Sequence, residues 1–135
     1  MSNQERAAWT EVVIAGLAIL VFVCTFPVMG NGAFGWFGLL GLLPLSMYFI
    51  RPRGTAVIVD ERDQGINLKA TFWGVQSAWM LTFMTLIAFT LWHSSTNQAV
   101  PTRYLNGLIW IQFAACYLIK GVATIVIYRG QRHAA

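Results

Sequence analysis

The sequence predicts an all-α protein, a four-helix bundle embedded in a membrane, and three observations carry that prediction. Hydrophobic residues make up 57% of the 135 positions and charged residues 10%, whereas average soluble chains carry about 25% charge. Mean hydropathy is +0.60. So little charge does not cover a surface that faces water. Second, the charges that do occur sit between apolar runs long enough to cross a bilayer. Third, nearly all Lys and Arg fall at alternate breaks between those runs.

The first two spans follow from one run. From Val12 to Ile50 there is no charged residue, a stretch of about 39 positions where a single crossing needs about 20. Two helices must share it. The break is predicted at Pro27-Val28-Met29-Gly30-Asn31-Gly32, because proline lacks a donor while glycine and asparagine accept turn conformations. The expected spans are therefore 10–28 and 33–50. Glu5 and Glu11 flank the first run and no small-x-small site ends it, so it reads as a span and not as a signal peptide.

The third span, 70–92, is again uncharged, and a polar loop around His93 to Pro101 leads to the fourth, 103–128. Cytoplasmic flanks hold the excess of Lys and Arg. With four spans, Arg6, Arg51, Arg53, Arg62, Lys69, Arg129 and Arg132 share one side and Arg103 lies on the other. Both termini and the loop 51–69 are thus expected in the cytoplasm, in a single domain. Trp9, Tyr48, Trp73 and Tyr128 then mark the inner boundary, Trp36, Trp92 and Tyr104 the outer one, and Trp79 and Trp110 lie deeper as packing residues.

Several constellations are candidates for function. Gly35, Gly38 and Gly41 repeat at intervals of three in the second span, which predicts close backbone approach to another helix, within the bundle or between copies. Pro44 is expected to kink that helix. Lys120 lies nine positions before Arg129, about 13 Å inward along a helix. Snorkelling of its long stem would account for it. An ionisable group at that depth otherwise points to function, and Gln76, Tyr117 and Thr124 are the residues expected to join it in a small polar pocket.

Between Val57 and Phe72 the chain reads VIVDERDQGINLKATF. Thr55 to Val59 is β-prone. Asp60 takes the place of a helix N-cap, with Glu61 and Asp63 in the first turn where the helix dipole favours them. The same residues, with Arg62 and Lys69, form a candidate cytoplasmic docking surface. Their side chains diverge on a helix and lack calcium-loop spacing, so no metal site is predicted.

Other chemistry finds little footing. GNGAFG, Gly30 to Gly35, matches a dinucleotide fingerprint by letters but lacks the preceding strand and the acid about 20 residues on. Cys24 and Cys116 read as small buried residues, and His93 and His133 fall outside the spans where haem ligation would need them. No Ser/His/Asp, Cys/His or paired carboxylate set can be assembled, so no enzyme is expected. No cofactor is called for, although the aromatic side chains leave room for a bound lipid or pigment. Basic residues flank apolar runs and form no groove, which excludes nucleic acid.

The segment Asp60-Glu61-Arg62, followed by Ile66, Lys69 and Ala70, resembles an uncharacterised family of small prokaryotic membrane proteins with a D-E-R-x-x-x-I-x-x-K-A-type segment between the second and third of about four spans. The resemblance implies a four-span helical fold in the prokaryotic inner membrane. It implies no activity. The functional expectation is an accessory or structural subunit, packed against membrane lipids and against other subunits or copies of itself. Two alternatives are an oligomeric channel or small-solute transporter lined by Lys120, Gln76, Tyr117 and Asn106, and a membrane sensor or anchor that docks a cytosolic regulator through Asp60 to Lys69.

Overall fold

The computed structural model describes residues 3–50 and 61–133, with side chains described for 3–48 and 61–130. Among these residues every regular element is helical and three stretches are long and apolar enough to cross a membrane. The Thr55-to-Val59 run and the Asp60 cap position lie outside the described residues.

Helix α1 (Asn3–Met29) is longer than the expected span and runs straight through Pro27. Pro27 lacks the N–H that would bond to the Val23 carbonyl, so the helix carries it at the cost of one bond in its last turn. The reversal comes within the expected segment, at Gly30, whose φ of 53° is the left-handed conformation that favours glycine just past a helix end. Cys24 is exposed on α1, which corrects the expectation of a buried thiol; Cys116 is half-buried.

The chain then folds back along α1, but not as the expected α-helix. Gly30–Leu42 is a 3-10 helix of 13 residues, followed by the short α2 (Leu45–Ile50). Such runs rarely exceed four residues, and each turn takes three. The sequence FGWFGLLGLLPL is a triplet repeat that suits this geometry. Phe37, Leu40 and Leu43 stack on one edge and are buried against α1, while Gly35, Gly38 and Gly41 stack on another and stay exposed. Pro44 falls between the two helical pieces and separates them, rather than kinking a continuous helix.

α3 (Glu61–Thr96) and α4 (Thr102–His133) form an antiparallel pair. Asn97 closes α3 with a φ of 56° and donates its backbone N–H to the His93 carbonyl at 2.8 Å. α4 is the central element. It packs against α3, α1 and the 3-10 segment, whereas α3 and the returning arm, made of the 3-10 segment and α2, form no packed pair among the described residues. The bundle is therefore open on that side.

Small residues bring the helices together. Along α1, Gln4, Ala8, Glu11, Ala15 and Ala18 recur at alternating steps of four and three and are all buried, the seam spacing of a coiled coil. On α4, Gly107, Ala114, Gly121 and Tyr128 recur every seven positions on the buried side. A Cβ added at Gly121 would lie 2.6 Å from Val12 Cγ2 and 2.9 Å from the Ala8 carbonyl oxygen, and one at Gly74 would lie 2.6 Å from the Cys116 carbonyl oxygen. These are the close helix crossings.

Candidate functional site

The end of the molecule that carries Asn3, Ile50, Glu61 and His133 is the linker end, and the polar groups gather there. Gln4 and Glu11 share the buried seam of α1, and Lys120 projects from α4 immediately before the crossing glycine, Gly121. The tight approach of the two helices brings the side chains together. Lys120 Nζ donates to Glu11 Oε1 at 2.8 Å, with side-chain exposures of 20% and 9%. The partner carboxylate was needed, because in a water-poor site an unpaired ammonium is costly. The Tyr117 ring lies below the same ammonium, its centroid 5.7 Å from Nζ.

This ion pair lines a partly open cavity of about 610 Å³. Its polar end includes Gln4, Glu11, Lys120, Thr124, Ser46 and Asn67, and its apolar walls include Trp110, Phe113, Tyr117 and the glycine edge at Gly38 and Gly41. Two of the hydroxyls are already committed to backbone: Thr124 Oγ1 donates to the Lys120 carbonyl at 2.9 Å and Ser46 Oγ to the Leu43 carbonyl at 2.8 Å. Lys120 keeps two N–H groups beyond the one given to Glu11. Gln4, 8% exposed as a residue, stands at the same end of the cavity.

Of the pocket residues expected from sequence, Lys120, Tyr117 and Thr124 do line one cavity. Gln76 does not. It lies two positions beyond Gly74, which faces α4, and two helical steps of about 100° each turn a side chain to the far side; accordingly Gln76 is exposed. Asn106 is likewise exposed and outside the cavity's lining. The place assigned to Gln76 is taken by Glu11. A signal was present: Glu11 shares the small-residue seam of α1 with Ala8 and Ala15, the spacing of a packed helix face.

The glycines of the second span also land elsewhere than close packing within the chain would require. A Cβ at Gly35, Gly38 or Gly41 would meet nothing within 4 Å. The glycines consumed by contact are Gly74, Gly121 and Gly107, where an added Cβ would lie 2.9 Å from the Phe34 ring.

The acidic segment divides. Asp63 accepts a hydrogen bond from the Tyr128 hydroxyl, tying the start of α3 to the end of α4. Arg129 lies over Trp9 at 5.8 Å and ties α4 to α1, within cation–π range. Glu61, Arg62 and Lys69 are exposed, and Asp60 lies outside the described residues. Among the described residues no three His, Cys, Asp or Glu side chains are placed to hold a metal ion. Compared with known proteins, the chain matches no family model, no curated protein and no solved structure.

Proposed function

We propose that the chain is a non-catalytic integral membrane protein that crosses the prokaryotic plasma membrane four times and serves as an accessory subunit of a membrane complex. Four crossings are supported by length. The 3-10 segment, at about 2.0 Å per residue over 13 residues, covers roughly 26 Å, and α2 adds about 9 Å at 1.5 Å per residue. Together they match a hydrocarbon core of about 30 Å. The distribution of Lys and Arg supports a cytoplasmic linker and cytoplasmic termini.

One observation carries the subunit reading. α3 meets α4 through Ile66, Ala70, Gly74 and Ala78, and on its other faces Phe72, Trp79 and Phe83 stand uncovered, Trp79 being 64% exposed. Trp79 lies nine positions beyond Ala70, about 13 Å further along the helix. That depth is below the headgroup level tryptophan favours. Its indole N–H has no acceptor among the described residues, and hydrocarbon offers none. A neighbouring helix supplies both the packing and the acceptor.

A photo-crosslinking residue in place of Trp79 tests this in native membranes. The expected result is a discrete protein adduct, lost when Phe83→Ala is added. Adducts to lipid alone, with the protein migrating as a lone protomer in mild detergent, would contradict the subunit reading. The transport reading gains less support, since Gln76 and Asn106 lie outside the cavity that holds Lys120.

A further inference from the structure

We infer that the cavity between the returning arm and α4 is a binding site for a neutral membrane amphiphile with a flat, hydrogen-bonding head, of the quinone type. The inference rests on the membrane placement and not on association with other chains, so a solitary protomer with a filled cavity would sustain it while the subunit reading failed.

The charges at the site select the head. Glu11 and Lys120 neutralise each other at 2.8 Å. An anionic head would have to draw Lys120 off its carboxylate, and a cationic head would have to do the reverse, each leaving a poorly solvated charge behind. An uncharged head leaves the pair intact and uses what it has spare. The two remaining N–H groups of Lys120 can donate to a carbonyl, and the second carboxylate oxygen of Glu11 can accept from a hydroxyl. Gln4 lines the same end, and its carboxamide adds a further donor and acceptor. The set thus offers donors and acceptors at one end, as a carbonyl-bearing ring in either reduction state requires.

The walls select the shape. Trp110 stacks on Phe37 with an interplanar angle of 11° and centroids 6.2 Å apart, and Trp110 lines the cavity with Phe113 and Tyr117. The eclipsed glycines Gly38 and Gly41 line the same cavity and present bare backbone, with nothing within 4 Å of the position a Cβ would take. Aromatic side chains and bare glycine backbone in one lining suit a flat ring. The volume of about 610 Å³ lies within the roughly 300–1,000 Å³ usual for small-molecule sites. The open side, where α3 and the returning arm do not pack, lets an apolar tail run out into lipid.

The test titrates decyl-substituted benzoquinone into the full chain purified in mild detergent and reads tryptophan fluorescence. A saturable quenching phase is expected, absent in Trp110→Phe. Gly41→Leu fills the slot without touching the ion pair, and the double variant Glu11→Leu with Lys120→Met removes the charges together. Both should weaken the saturable phase about tenfold or more while thermal unfolding shows them folded. Only linear, unsaturable quenching would overturn the proposal, as would a saturable phase that survives Gly41→Leu. Displacement of the quinone by lower concentrations of palmitate or of phosphatidylethanolamine would overturn the neutral head.

Discussion

At the scale of single residues, the chain's glycines divide by what surrounds them. Gly74 and Gly121 hold helix crossings at which an added methyl would meet backbone carbonyl oxygen at 2.6 Å and 2.9 Å. Gly74→Ala and Gly121→Ala should each destabilise the folded protein by about 1–3 kcal/mol, read as a lower melting temperature in detergent. Gly35→Ala, Gly38→Ala and Gly41→Ala meet open space and should leave it unchanged or slightly higher, because alanine restricts the unfolded chain. Equal losses in both sets would refute the packing described. The ion pair yields a second contrast. Lys120→Met or Glu11→Gln alone strands the other partner, at a cost of about 3–5 kcal/mol, whereas Glu11→Leu with Lys120→Met should be close to neutral. Chemical unfolding of the purified protein measures all three. Lys120 is legible in the sequence as a group needing a partner; the seam of small residues around Glu11 marks a packed face, but its pairing with Lys120 is not legible, because 109 positions separate the two and Glu11 also reads as the flank of an apolar run.

At the scale of elements, composition located the apolar segments well and local geometry less well. The expected spans 70–92 and 103–128 sit inside α3 and α4, and 10–28 lies within α1. Each helix overruns its span because polar residues at the ends of a membrane helix remain helical while hydropathy marks only the apolar part. The reversal falls inside the segment Pro27 to Gly32 expected for it, at Gly30, whose left-handed φ turns the chain back. The 3-10 segment was the missed element. Its spacing of three was visible, but glycines three apart also suit an α-helix face, and only the matching triplets of Phe37, Leu40 and Leu43 on a second edge favour a period of 3.0. Spin labels placed singly at positions 33–43 should show accessibility to a lipid-soluble relaxant with a period of three. A period of 3.6 would mean an α-helix there and would dissolve the glycine edge of the cavity.

At the scale of the whole molecule, α4 organises the fold. It is tied to α1 by the Glu11–Lys120 pair and the Trp9–Arg129 contact, and to α3 by the Tyr128–Asp63 hydrogen bond. The returning arm closes against α1 and leaves the side facing α3 open. Openness of this kind was not legible in the sequence, because hydropathy counts crossings but carries no record of which helices are neighbours. Both functional proposals depend on the same placement in the bilayer, with the linker on the cytoplasmic side. That placement is tested most directly by impermeant maleimide labelling of single cysteines in intact cells, with Cys24 and Cys116 replaced by alanine. Asn31→Cys and Gln98→Cys should be labelled from outside, and Gln64→Cys only after lysis. Labelling of Gln64→Cys in intact cells, or of Asn31→Cys only after lysis, would contradict the account.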